Sequence, residues 1–188
     1  CRPLPRAATC PRARGNTGHQ GGPGLPKVEP SGIARVLAQL DPAIESVRAL
    51  ASDKSGAIYA TGVANATLVT SAGAAIASSK VSGSAAYLAK ISPTGTPVFS
   101  TFLTVPNSRT TSGSHDIGQG RNETATTAFV LTVDVGGNAY VAGQAIAAER
   151  PETPGALDTK DTKHRDAFVA KVHPSAASFS IVTRPRFL

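Results

Sequence analysis

The chain has 188 residues, 40% of them hydrophobic, and a formal net charge of +7. That length suits one domain of ordinary size or part of a larger one, and no run approaches the ~20 apolar residues of a membrane helix, so no membrane span is expected. The charge does not describe a nucleic-acid surface: Arg2, Arg6, Arg12, Arg14 and Lys27 face only Glu29 in residues 1–30, and Arg184 and Arg186 lie in the last five residues, so most of the excess sits in the tails rather than on a patterned face.

Aromatic residues make up 5% of the chain, and Trp and Met are absent. The core must then be built from Ile, Leu, Val and a few Phe and Tyr, with small residues letting backbones approach closely. The chain starts at Cys1 and holds no Met, which reads as a fragment, a processed form or an edited chain. No charged-then-apolar secretory leader is present.

In chain order, residues 1–30 (CRPLPRAATCPRARGNTGHQGGPGLPKVEP) are rich in Pro, Gly and Arg and show no periodicity, so a disordered or loosely attached tail is expected. Cys1 and Cys10 are the only cysteines. They have the spacing to close a small loop but would staple nothing further along, and a pair without His neighbours is a poor zinc site. An N-terminal Cys also fits a lipid anchor, which needs a leader; incidental cysteines are the plainer account.

Residues 31–46 are an ambiguous lead-in. Ile33, Val36, Leu37, Leu40, Ile44 and Val47 fit helical spacing, but Pro42 opposes a helix interior. VLAQLDP at 36–42 also resembles YLAKISP at 87–93, as a leftover strand of an earlier unit would.

From residue 47 the chain repeats itself. At an offset of 81 residues Leu50/Leu131, Asp53/Asp134, Gly56/Gly137, Tyr59/Tyr140, Gly62/Gly143, Ala89/Ala170, Lys90/Lys171 and Pro93/Pro174 are identical. Unit 1 (47–104) contains the predicted strands VRALAS, AIYATG, AYLAKI and PVFSTFL. Unit 2 (126–183) contains FVLTV, NAYVAG, AFVAKV and a truncated SFSIVT. Alanine favours helix, but Gly or Pro cuts these β-branched and aromatic runs every few positions, so strands are expected. A polar insertion, 105–125, separates the units, and 184–188 form a tail.

The turns carry their own signals. DKSG and DVGGN place Asp53 and Asp134 where a carboxylate caps the turn backbone, and Gly56 and Gly137 where a positive φ is needed. SPTGT places Pro93 and Gly95 as a type I turn with a bulge wants them; its counterpart HPSAA lacks the Gly, so that hairpin should be less well formed. In an up-and-down meander these tight turns all fall at one end. The long connections, about 64–84, 105–125 and 146–165, fall at the other, which is the candidate binding end.

Four-stranded antiparallel units in tandem are the blades of a β-propeller. SVRALASDKSGAIYATG, AYLAKISPTGTPVFSTFL, PETPGALD and DAFVAKVHPSA resemble the bacterial SBBP-type (seven-bladed) β-propeller repeat over about residues 46–182. The resemblance implies an all-β propeller segment of about two units, an incomplete ring, with an extracellular, periplasmic or cell-surface location. It implies that further propeller blades or another protein are the partners. The chain departs from that pattern in its long polar insertion, in TSAGAAI where the family has a Thr-Pro-Gly-Ala run, and in its shortened last strand. Two blades close no ring, and an isolated pair would leave two blade faces uncovered.

Motifs of catalysis are missing: no G-x-S-x-G, Walker loop, H-E-x-x-H or C-x-x-C occurs. Ser114, His115 and Asp116 are adjacent in sequence, which is not triad geometry. Asp158, Asp161, His164 and Asp166 are possible ligands without calcium-loop spacing, and Lys160, Lys163 and Arg165 oppose a cation. No catalytic, metal or cofactor site is expected. Asp53 and Asp134 read as turn caps, and Lys90 and Lys171 as strand-edge charges. Asn65 and Asn122 open glycosylation sequons, which carry little weight if the source is bacterial, as the resemblance implies.

The candidate binding-loop residues are Arg109, His115, Asp116, Arg121, Glu149, Asp161, His164 and Asp166. The expected function is a non-enzymatic structural or interaction scaffold. The alternative is part of a propeller-class enzyme with its active site at the centre of the long-loop face, which titratable residues converging on a central channel would favour. A carbohydrate-binding module is disfavoured by the lack of Trp.

Overall fold

The computed structural model describes residues 22–74, 76, 83–104, 127–146, 165–175 and 179–183. It is all-β, and no helix is long and apolar enough to cross a membrane among these residues. The strands are β1 (Gly24–Val28), β2 (Ala34–Gln39), β3 (Ile44–Ser52), β4 (Ile58–Asn65), β5 (Ser84–Ile91), β6 (Pro97–Phe102), β7 (Thr127–Val133), β8 (Ala139–Ile146), β9 (Arg165–Val172) and β10 (Phe179–Thr183). They form a hairpin β1-β2 and two open four-stranded antiparallel sheets, β3-β4-β5-β6 (sheet 1) and β7-β8-β9-β10 (sheet 2).

Each sheet is a simple meander, because each tight turn joins strands adjacent in both sequence and space. Gly56, Gly95 and Gly137 all have positive φ, 81°, 90° and 81°, as the turn patterns require. Asp53 Oδ1 accepts hydrogen bonds from the amides of Ser55 (2.9 Å) and Ala57 (3.1 Å). Asp134 Oδ1 accepts from Gly136 (2.8 Å) and Asn138 (2.9 Å) in the same way. The carboxylate stands in for a backbone acceptor and fixes the two-strand register. Residues 176 and 177 of the HPSAA turn, with 178 after it, lie outside the described residues, but the shortened last strand still pairs with β9 from Phe179 to Thr183 and completes the sheet.

The repeat extends to an irregularity that composition does not announce. In β3 the register slips at Arg48, between Val47 opposite Gly62 and Ala49 opposite Thr61. In β7 it slips at Phe129, between Ala128 opposite Gly143 and Val130 opposite Ala142. Both bulges sit at the same repeat position. They bend the first strand over its neighbour, so a Cβ on Gly62 would land on the Ser46 carbonyl oxygen and one on Gly143 on that of Thr127. Only glycine fits beneath the bulge.

Two expectations about the N-terminal part need correction. Residues 24–28, inside the segment read as a disordered tail, form strand β1; residues 1–21 lie outside the described part. Leu25 is buried against sheet 1, and Pro26, which has no N–H to donate, falls at the register shift in the β1-β2 ladder. In residues 31–46 the helical spacing does not make a helix: Ala34–Gln39 form β2, which pairs with β1, and β3 already begins at Ile44. Ala38 and Leu40 point into the core, an alternation of period two that masquerades as helical spacing over so short a window.

The core has two layers. One side of sheet 1 presents Tyr59, Ala86, Leu88 and Phe99 to Ala139, Val141, Phe168, Ala170 and Val172 of sheet 2, with β7 lying against β3 and β4. The other side presents Ala60, Ala64, Tyr87, Ala89 and Ile91 to Leu25, Ala38 and Leu40 of the hairpin. Sheet 1 is therefore covered twice, and six consecutive residues of β4, from Tyr59 to Ala64, are buried. Sheet 2 is covered once, and β9 alternates strictly, exposed and buried, from Ala167 to Val172. The buried Tyr87 hydroxyl has no hydrogen-bond partner, while its counterpart in sheet 2 is Phe168, which brings no polar atom.

The connection after β4 runs back along β6. Ser71 N–H donates to the Ser100 carbonyl (3.0 Å), and Ser100 N–H donates to Ser71 Oγ (2.9 Å). Further on, Phe102 N–H donates to the Ile76 carbonyl (3.3 Å). These bonds occupy the Ser100 N–H and C=O and the Phe102 N–H of β6.

Candidate interaction face

An Asp, a Tyr and a Lys recur in each sheet and come together in space. In sheet 1, Lys90 Nζ donates to Asp53 Oδ2 at 3.0 Å and lies 4.8 Å from the centre of the Tyr59 ring. The Tyr59 hydroxyl donates to the Gly137 carbonyl, 3.1 Å away in the β7-β8 turn of sheet 2, and lies 3.4 Å from Asp53 Oδ2. The Tyr59 ring meets Phe99 edge-on at 6.2 Å between centroids. One residue thus joins its own turn, its own lysine and the neighbouring sheet.

This cluster is enclosed: the side chains of Lys90 and Asp53 are 15% and 11% exposed. Hydrogen bonding from Ser55, helped by Lys90 and the turn amides, holds the Asp53 carboxyl well below the usual carboxylate range despite its burial. Burial pulls the Lys90 ammonium down, but its bonds to Tyr59 and Asp53 outweigh this and leave its pKa raised. Both groups stay charged around neutral pH and act as an ion pair, not as proton carriers. Lys90 lies on an inner strand, between β4 and β6, so the expectation of a strand-edge charge was wrong for it; Lys171, between β8 and β10, is likewise internal.

In sheet 2 the same trio faces outward. The Tyr140 hydroxyl donates to Asp134 Oδ2 (3.2 Å), and the Asn138 side-chain amide donates to the same oxygen (2.8 Å). Asn138 replaces Ala57 of sheet 1 and takes the place that Lys90 fills there. Its hydrogen bond is the main cause that lowers the Asp134 pKa. Lys171 Nζ is left over the Tyr140 ring at 5.4 Å and exposed.

Around this trio sheet 2 has an open apolar face. Register places Val130, Thr132, Tyr140, Ala142, Gln144, Ala167, Val169 and Lys171 on one side. Phe129, Val130 and Val169 are 49%, 59% and 44% exposed. Shifted by 81 positions, these are Ala49, Ala51, Tyr59, Thr61, Val63, Ala86, Leu88 and Lys90 of sheet 1, the side that sheet 2 covers. The apolar character survives at most positions; Thr132 for Ala51 and Gln144 for Val63 make the outward version more polar.

A concavity of about 460 Å³ lies beside sheet 1 between the end of β2, the 68–71 connection and β6, with Leu40, Ile44, Leu68, Ile91 and Phe99 in its lining. Both Asp41 carboxylate oxygens near its mouth already accept backbone amides, from Ala43 and Val69.

The turn residues Asp53, Gly56, Pro93, Gly95, Asp134 and Gly137 all fall where the sequence puts them. Of the binding-loop candidates, Arg109, His115, Asp116, Arg121, Glu149, Asp161 and His164 lie outside the described residues. Asp166 falls in β9 rather than a loop, opposite Ala145. Among the described residues no group of three or more His, Cys, Asp or Glu is placed to hold a metal ion. Of the two uncovered faces expected of an isolated pair, the one on sheet 2 is open, whereas the one on sheet 1 is covered by the β1-β2 hairpin; the sequence reading did not name the residues that line the open face. No family model matches the chain, and no curated protein matches it.

Proposed function

We propose that the chain is a non-enzymatic scaffold, a run of β-propeller-type blades that works by stacking sheet upon sheet and offering its surfaces to protein partners. The observation that carries this is the relation between the two sheets. The Tyr59 side of sheet 1 is covered by sheet 2, and the equivalent Tyr140 side of sheet 2 is open. Units that pack face to face in one sense, each presenting to the next the side it was itself packed against, form an extensible array. The twice-repeated residues serve turns, bulges and the inter-sheet hydrogen bond, all structural tasks. An extracytoplasmic, bacterial setting belongs to the same proposal through the likeness to SBBP-type repeats.

The test is to extend the array. The full chain is followed by a copy of residues 103–126 as connection and then by a second copy of residues 44–183. A stacking scaffold melts as one cooperative transition at a higher midpoint than the single chain, and binds less of a hydrophobic dye per sheet. Independent melting at the original midpoint overturns the scaffold proposal.

A further inference from the structure

We infer that two copies of this chain associate head to tail, the open Tyr140 face of one docking on the Ala60–Tyr87–Ile91 face of sheet 1 in the other, with the β1-β2 hairpin giving way. The inference rests on the scaffold reading above and names its partner, a second copy.

The choice of partner follows from the one example of such a docking within the chain. The side bearing Tyr59, Leu88 and Lys90 is covered by a side bearing Ala139, Val141, Phe168, Ala170 and Val172. The repeat equivalents of the covering residues are Ile58, Ala60, Tyr87, Ala89 and Ile91, which share one face of sheet 1. A second copy therefore owns a surface of the kind that the Tyr140 face fits. An interface between two Tyr140 faces has no counterpart between the two sheets of the chain, where a Tyr-Lys face meets the opposite kind of face.

In the single chain that surface is covered by the β1-β2 hairpin, and the cover is a weak one. A two-stranded hairpin is marginal on its own, and among the described residues β1 and β2 pair only with each other. It contributes Leu25, Ala38 and Leu40 to the shared cluster, while Val28, Ile33 and Val36 remain 65%, 52% and 69% exposed. In that same cluster the Tyr87 hydroxyl is fully buried without a partner, a poor fit between cover and surface. The concavity at the end of β2 marks where the cover stops short.

The docked geometry is defined by the inner interface. Tyr59 reaches the carbonyl of Gly137; Tyr140 then reaches the carbonyl of Gly56 in the second copy, the same turn position 81 residues earlier. Because the two contacting faces differ, the association is heterologous and continues until it closes on itself or forms an open chain.

Sedimentation velocity over a concentration series of the full chain tests this. Val169→Glu places a charge on the open face at an exposed position, leaves the fold intact and keeps the chain monomeric throughout. Leu25→Glu detaches the hairpin and shifts association to at least about tenfold lower concentration, the equivalent of losing one buried leucine. The double variant is monomeric. Should Leu25→Glu fail to fold, Gly32→Val serves instead: Gly32 turns the hairpin at φ 83° with nothing within 4 Å, so a side chain there strains only the hairpin. Val169→Glu associating like the parent overturns the inference, and so does a released hairpin that leaves the chain monomeric. If the extended array gains stability while free chains stay apart, the scaffold stands and this inference alone falls.

Discussion

Replacing Tyr87 by Phe should make the protein more stable. The hydroxyl is fully buried and makes no hydrogen bond. Burial also pushes its pKa above the usual phenol range, so it is an uncharged donor at any physiological pH. A buried donor left unsatisfied costs about 1–3 kcal/mol, and removing it leaves the ring that packs the cluster. Phe168 shows that the repeat accepts this ring without the hydroxyl, in a similar environment of Val141, Ala170 and Val172. At the lower bound, a gain of about 1 kcal/mol raises the midpoint by about 2–4 °C in a domain of this size. Thermal unfolding followed by circular dichroism, with urea unfolding at 25 °C beside it, measures both quantities. The reciprocal Phe168→Tyr should lower the midpoint by a similar amount. A Tyr87→Phe protein that melts at or below the parent midpoint would refute the reasoning, since the hydroxyl must then have an acceptor.

Gly137→Ala should destabilise by about 1–2 kcal/mol from its left-handed backbone alone, and by more because the new Cβ meets Pro174 Cγ at 3.3 Å. Gly73→Ala, with φ 76° and nothing within 4 Å, isolates the backbone part, so equal midpoints for the two would count against the turn packing. Gly143→Ala should cost about 1–3 kcal/mol by overpacking the bulge, visible as early loss of amide protection in β7 and β8. The Asp53 carboxyl is depressed in the folded chain, so its stabilisation is complete above its ordinary pKa of about 3.9 and fades as pH falls toward the folded value. The Lys90 contribution runs the other way, present below about 10.4 and lost as pH rises through its raised folded value. Asp53→Asn keeps the turn acceptor and removes the charge, so its urea midpoint should fall less between pH 5 and pH 2.5 than the parent's.

The body of the fold was legible because its signals are local and doubled. Asp-x-x-Gly turns need one carboxylate and one positive φ, and each appears twice at the same offset, so strand order and register followed. The bulges were not legible, since Arg48 and Phe129 share no side-chain character; only the glycines opposite them, Gly62 and Gly143, hinted at close backbone approach. β1 was missed because Pro and Gly in GLPKV read as loop, and only the burial of Leu25 in tertiary contact makes it a strand. That a face would be uncovered was expected, but which residues line it was hidden for a different reason. Asp53 and Asp134 look alike in sequence, and whether the nearby lysine pairs with the carboxylate depends on Ala57 against Asn138 and on which sheet is covered. The long-loop residues were chosen by loop length alone, a rule that ranks segments without saying what they touch.

The hydrogen bonds that Ser71 and Ile76 make to β6 govern how the molecule can join others. An uncovered outer strand is a template on which a foreign strand can be laid, the route to amyloid-like growth. In sheet 1 that template is occupied at Ser100 and Phe102 by the chain's own β4-β5 connection. Sideways recruitment at β6 would first have to peel this segment away. The exposed apolar residues Val130 and Val169 lie broadside on sheet 2, and contact there is made by side chains whose shapes must match. Chains meeting by that route are selected for fit, whereas backbone-templated growth accepts almost any sequence. A protein poor in bulky aromatics, with so many alanines in strands, has reason to keep the two routes apart.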